Sequence, residues 1–463
     1  MQPRITEQSF YKYLKCPSWI SRELREGEDL RKALMQKLQD DGLLRQKELE
    51  LLEGREVEEV DLDDLDEAVQ RTLELMKEGA ETIYKGVLTH GHWVGQPDVL
   101  EKVEGQSNFG DWYYVACDIK RSHHLKDEYK FQGAFYAEIL TKIQGIKPIQ
   151  GYVMFADGAV ESYLLEEFYT QFQLTLDEIE RILEGEKKPH FLTSGCKQAP
   201  YFTECQAETK ECDDLSLINR IWRSEVTALQ EIGIQTVTDL ADASVEDLRR
   251  AADVTWDRLY FLQQQAISLA ENRVIRIGEV EFPQEDGLVL VVDIESDPLR
   301  DLDYLFGTLV IDGDDQTYHS FLAKNTDQEE ENWSQFVSFL EDYPAASIYH
   351  YGWYEEAVFR RLGEKYGVPD SIKQHFEEDM VDLLTRMREK VIFPMPFYSL
   401  KDIAKYLGFK WRREDASGAE SVLWYEAWLR DKDEQALQDV LDYNEDDVRA
   451  TWFVRNWILE HQL

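Results

Sequence analysis

The segment GLVLVVDIESDP, residues 287–298, constrains the fold more than any other stretch of the chain. Five consecutive apolar residues, Leu288 to Val292, run straight into Asp293 and Glu295. A valine-rich run of that length is too short for a helix and reads as a buried strand of an α/β domain. Two residues apart on an extended strand, the two carboxylates point to the same face. Like charges placed together raise at least one pKa unless a cation neutralises them, which is the physical case for Mg²⁺ or Mn²⁺. The plain alternative is an acidic turn at a strand end. Further carboxylates arriving from elsewhere would decide between the two.

Two later segments supply them. After the strand-like ASIYH (346–350) comes YGWYEEAVFRRL, which puts Glu355 in the first turn of a helix. Near the C-terminus DVLDYNEDDVRATWFV reads as a helix with Tyr443 and Asp447 at i and i+4, on one face. A two-metal phosphodiesterase site needs four carboxylates and a group that orients the attacking water. Asp293, Glu295, Glu355 and Asp447 would be the ligands, and Tyr443 the hydroxyl. Asp382 is a spare acid, better suited to a structural role. In this order the motifs resemble the DEDDy 3′→5′ exonucleases of the RNase H-like superfamily. SLKDIAKYLGF (399–409) and the ESVLWYEAW that follows resemble its YprB-type branch. A tyrosine at 443, with Asp442 where a His would stand, matches the tyrosine subclass. The resemblance implies an RNase H-like α/β domain over residues 279–463. The second motif usually presents Asp, and Glu355, with Glu356 beside it, departs from that pattern.

In the N-terminal part, WVGQPDVLEKV (93–103) places Asp98 inside a strand-like run, and VACDIK ends on Asp118 and Lys120. Acid, then acid-x-Lys on adjacent strands, is a metal-plus-lysine arrangement: the acids hold a cation and the lysine stabilises charge growing on a phosphate. A surface hairpin with ordinary charges is the plain alternative. FQGAFYAEIL (131–140) adds Gln132 and Tyr136 at i and i+4 of a helix. Together these resemble the RecB-like branch of the PD-(D/E)xK nucleases, with Gln132-Gly133 where Gln-Leu is usual. The resemblance implies a restriction-endonuclease-like α/β core over residues 1–213 and an additional acid or His before Asp98. Glu81, His90 and His92 compete for that role.

Five cysteines, an odd number, suggest ligation or burial rather than a disulfide framework. YLKCPSWI (13–20) resembles the helix-borne Cys-Pro that opens RecB-like nucleases carrying a [4Fe–4S] cluster. That resemblance implies four thiolates from Cys16, Cys196, Cys205 and Cys212. The late group lacks the usual Cys-x-x-Cys, with Ala199 in the second position. Cys117 reads as a small buried hydrophobe.

Between the two nuclease-like parts, residues 214–278 read as helices broken at Gly233 and at the capping pattern Ser244-x-x-Asp247. Their layout is similar to helix-hairpin-helix modules, which touch DNA backbones; a helical spacer is the alternative. A formal charge of −42 lowers any nonspecific affinity for polyanions. The acid is uneven, however: ELELLEGREVEEVDLDDLDE (48–67) reads as solvated acidic surface, and KRSHHLKDEYK (120–130) as a basic island. No apolar run is long enough to span a membrane and no signal peptide is evident, so a cytoplasmic protein is expected.

The expectation is a metal-dependent nuclease with two sites, acting on DNA ends or single strands, and needing Mg²⁺ or Mn²⁺. The alternatives are a nucleic-acid-binding or scaffolding protein with degenerate sites, or an RNA exonuclease. Partner proteins in repair, defence or CRISPR-type adaptation would suit it.

Overall fold

Apolar runs and amphipathic helices alternate along the chain and gather into two compact units, Met1–Thr209 and Lys210–Leu463. The computed structural model describes residues 3–26, 48–62, 64–120, 125–155, 158–186, 190–285, 287–297, 300, 302–344, 346–413 and 416–461. Arg121 to His124 of the expected basic island lie outside the described residues.

The first unit is built on a six-stranded sheet, in the spatial order Val57–Glu59, Thr82–Tyr84, Val99–Ser107, Gly110–Lys120, Gln150–Phe155, Val160–Leu164. The third and fourth strands form an antiparallel hairpin with Val99 opposite Cys117. Gly110–Lys120 then pairs in parallel with Gln150–Phe155. A parallel neighbour needs a crossover, and the helix Asp127–Gln144 provides it. Phe131, Phe135, Ile139 and Leu140 bury that helix in the unit's main core. Phe10, from the helix Glu7–Lys15, inserts between Phe135 and Phe172 at ring distances of 5.2 and 5.3 Å. The first helix is thereby fastened to the crossover helix. Just before it, Ile5 makes a parallel bridge to Trp93, donating to the His92 carbonyl and accepting from Val94 N–H.

Asp98 does not lie inside a strand. The strand ends at Gly95 and the next begins at Val99, because Pro97 has no N–H to continue a ladder. Asp98 is therefore the last residue of a turn, free to aim its carboxylate across the end of the hairpin. Cys16 likewise sits at the junction of two helices, Glu7–Lys15 and Pro17–Glu26, rather than within one.

The second unit opens with short helices, Arg223–Glu231, Val237–Asp242, Val245–Leu248 and Trp256–Glu271. Gly233 breaks the first pair at φ +94°, and the Ser244 hydroxyl accepts from Asp247 N–H at 3.2 Å, capping the third. A five-stranded sheet follows, in the order Asp315–Leu322, Leu302–Asp312, Leu288–Asp297, Ser347–His350, Met380–Asp382. The first three strands form an antiparallel meander whose second turn is closed by Asp312 opposite Asp315; the last two are parallel to Leu288–Asp297. One face of the central strand, Leu290, Val292 and Ile294, packs on Trp333, Phe336, Val358 and Phe359. The other, Val289 and Val291, packs on Val448 of the long helix Glu434–Glu460. Helices cover both faces, as a strand apolar on both faces demands. No helix among the described residues is long and apolar enough to cross a membrane.

Candidate functional site

In the second unit Asp293 and Glu295 continue the face that carries Val289 and Val291, so the strand delivers both to the helix Glu434–Glu460. There they meet Asp447, and one carboxylate oxygen from each of the three lies within 4.8 Å of the others. Burial, followed by the charges of Asp447, Glu295 and Glu355, holds the Asp293 carboxyl well above its ordinary range. Burial and Asp447 push Glu295 up to about 8. Asp447 rises to about 7 by burial, against the pull of Trp411, Tyr443 and Lys401. Three acids that resist ionising together are each stabilised in the charged form by a nearby cation.

The neighbours fix each acid in place. The Asn444 amide donates to Asp293 Oδ2 at 2.8 Å, and its own oxygen accepts from the Tyr318 hydroxyl at 2.8 Å. Asn444 reaches in only because Gly307, opposite Asp293 in the ladder, has no side chain: a Cβ there would lie 1.5 Å from Asn444 Oδ1. Glu295 is hydrogen-bonded by Ser421 and Asn444, and Ser421 in turn meets the Tyr304 hydroxyl at 2.7 Å. Trp411 Nε1 donates to Asp447 Oδ1 at 2.6 Å. Tyr443 hydrogen-bonds Asp447, and burial with the surrounding negative charge holds its phenol protonated. Asn444 and Ser421 were not singled out from sequence. The available signal was Asn444 at the centre of the apolar ridge Val440, Asn444, Val448, where a buried amide must have partners.

Glu355 stands beside this cluster rather than in the close triad. It is buried at the start of the helix Tyr354–Tyr366, and its Oε2 lies 3.5 Å from His350 Nδ1. Among the described residues that oxygen has no hydrogen-bond donor. Asp382 caps the helix Leu383–Met387 and accepts from Gly352 N–H at 2.8 Å, a structural role.

In the first unit Asp98, Asp118 and Lys120 come together. Lys120 Nζ lies 2.8 Å from Asp118 Oδ2, Asp98 N–H donates to Asp118 Oδ1 at 3.3 Å, and Ile119 N–H donates to Asp98 Oδ2 at 2.7 Å. Burial pushes the Asp118 carboxyl up against the pull of Lys120. Tyr136, from the crossover helix, hydrogen-bonds Asp118 and packs on Gly95, where an added Cβ would lie 2.9 Å from its ring. Gln132, one turn earlier, is buried, and its Oε1 has no partner among the described residues.

Two further groups join them. Glu7 is pushed up to about 7 by burial, with Asp118 adding to the rise, while its own N–H and that of Gln96 oppose it. The Ile5–Trp93 bridge is what sets Glu7 above the Asp98 turn. The residues competing for the extra acid point elsewhere: Glu81 pairs with Lys102, His90 packs on the Trp93 ring, and His92 faces Glu180. Lys85 Nζ lies 2.5 Å from Asp98 Oδ1 and 3.0 Å from Glu48 Oε2, so part of the acidic block 48–67 turns inward.

Cys16, Cys196 and Cys205 are buried in the first unit. Hydrogen bonds that Cys16 donates to Cys196 and Cys205, then burial, raise the Cys16 thiol, while Cys205 is lowered by the bond it accepts from Cys16. Cys212 falls in the second unit and is exposed. Cys117 is buried in a small apolar cluster with Val99 and Met154.

The model of the RNase H superfamily matches residues 290–459. No curated protein matches the chain. The match spans the central strand, the first turn of the Glu355 helix and the helix that bears Tyr443 and Asp447. By this match, residues 290–459 of the chain form an RNase H-like part.

Proposed function

We propose that this chain is a metal-dependent nuclease that hydrolyses DNA phosphodiesters at ends or in single strands, with a 3′→5′ exonuclease site of the DEDDy type in its C-terminal domain. The meeting of buried Glu295 with half-buried Asp293 and Asp447 carries this reading. The donor set fits a hard divalent cation: it is all carboxylate oxygen, and each member gains by being neutralised. Mg²⁺ or Mn²⁺ bound there would polarise the phosphate and make water a better nucleophile. Asp293, Glu295, Glu355 and Asp447 would hold it. Asn444 keeps Asp293 in one rotamer, and the protonated Tyr443 hydroxyl orients the attacking water.

The reading extends to the first unit as a RecB-like nuclease core. Asp98, Asp118 and Glu7 would hold a cation, Lys120 would stabilise charge on the phosphate, and Gln132 and Tyr136 would support Asp118. Cys16, Cys196 and Cys205 would supply thiolates to an iron–sulfur cluster, and residues 214–278 would touch the DNA backbone as a helix-hairpin-helix-like module. One observation favours a second reading for this unit. Lys85 and Lys120 already neutralise Asp98 and Asp118, which suits a site that grips nucleic acid without cutting it.

A degradation assay with 5′- and 3′-labelled single- and double-stranded DNA and RNA, in Mg²⁺ or Mn²⁺, tests both. Wild type is expected to shorten single-stranded DNA from the 3′ end, and Asp293→Asn to abolish this. If Asp118→Asn leaves every cleavage product unchanged, the first unit binds rather than cuts. No degradation of any substrate by wild type would overturn the enzyme reading.

A further inference from the structure

We propose that Trp353 is a stacking platform for the terminal base of a single strand entering the C-terminal site. The inference rests on the nuclease reading of that site and adds how the strand end is gripped. Trp353 is the most exposed tryptophan among the described residues, at 72 %. It stands two positions before Glu355, where the chain leaves the strand Ser347–His350 and enters the helix Tyr354–Tyr366. That strand lies parallel and adjacent to the one bearing Asp293 and Glu295, and ligands of open α/β sheets sit at such carboxyl ends.

The loop that presents the indole is tied on every side. Gly352 N–H donates to Asp382 at 2.8 Å, the Gly352 carbonyl meets His350 Nδ1 at 2.8 Å, and the Tyr351 hydroxyl donates to the Tyr398 carbonyl at 2.9 Å. Gly352 sits at φ +98°, a conformation other residues rarely adopt. On the far side the Tyr354 hydroxyl donates to Ser296 Oγ at 2.7 Å, next to Glu295. The Trp353 ring stands at 78° to Tyr354 with centroids 6.0 Å apart, so an edge-to-face contact braces it while most of its surface stays in solvent. A rigidly held, solvent-facing indole beside a carboxylate cluster matches the way sequence-tolerant single-strand binders hold bases. Charge strengthens the choice of a base over a phosphate as the thing gripped. A molecule of net charge −42 repels the backbone, so attraction from a π-face on a base is the contact that offsets it.

The test uses 5′-labelled single-stranded DNA ending either in an ordinary nucleotide or in an abasic one. Affinity is read by anisotropy on the Asp293→Asn background, and KM and kcat by cleavage in Mn²⁺. Trp353→Ala is expected to raise Kd and KM roughly 5- to 100-fold with kcat changed far less, and Trp353→Phe to retain most of the affinity. The abasic end should weaken binding to the Trp353 protein by a similar factor and leave Trp353→Ala unaffected. Equal loss on both proteins, or no change on Trp353→Ala, overturns the platform while the nuclease reading stands. If the protein with Trp353 intact neither binds nor cuts, the nuclease reading falls and takes the platform with it.

Discussion

Gly307 and Asn444 show how much of this site depends on residues that carry no chemistry of their own. Asn444 holds Asp293 through the space that a Cβ at 307 would fill. Gly307→Ala is expected to destabilise the protein by about 1–3 kcal/mol and to cost more in cleavage than in folding, read by urea midpoints beside kcat. Protonation follows from the same crowding. In the folded, metal-free protein Glu295 and Asp447 are raised to about 8 and 7. Folded molecules therefore bind protons that unfolded ones release, and stability falls as pH rises from about 5 to 8. Saturating Mn²⁺ should flatten that slope, measurable as the unfolding midpoint against pH with and without chelator. Asp293, Glu295, Tyr443 and Asp447 were legible in sequence because period-2 and i, i+4 spacing put each pair on one face. Glu7 was not, since a single bridge at Ile5 places it and leaves no periodic trace.

At the scale of elements, the helix Glu434–Glu460 is what turns a strand end into a site. Its ridge of Val440, Asn444 and Val448 is buried, and Val448 packs on Val289 and Val291. Val448→Ala opens a cavity beneath Asp447 and is expected to cost about 2 kcal/mol, with a matching rise in the Mn²⁺ concentration needed for half-maximal activity. Several strands and the hairpin at DGDD were readable from apolar runs and turn residues, whereas the order of strands in each sheet comes from pairing that no linear pattern records. Asp98 was misplaced into a strand because every second residue, Trp93, Gly95, Pro97 and Val99, is non-polar, whereas Pro97 ends the ladder. The helix-borne reading of Cys16 slipped for a related reason: Pro17 starts a new helix, and Cys16 falls at the joint.

At the scale of the whole molecule, the sequence suggested three parts, while contacts divide the chain once, between Thr209 and Lys210. Helices over 214–278 count with the RNase H-like unit because packing, unlike composition, is invisible to a linear scan. Anaerobically purified protein is expected to contain iron and to lose it in Cys16→Ser, by elemental analysis; iron-free wild type would remove the cluster. The charge of −42 leaves the molecule self-repelling, so added monovalent salt should raise its unfolding midpoint. The most direct test of the proposed catalytic centre is calorimetric titration of Mn²⁺ into the Asp118→Asn protein at alkaline pH, where the cluster of Asp293, Glu295 and Asp447 is the remaining acidic centre under test. Saturable binding that Asp293→Asn removes, and that weakens as pH falls below about 7, is the expected result. Absence of binding, or binding unaltered by Asp293→Asn, would contradict a metal-dependent nuclease site at these carboxylates.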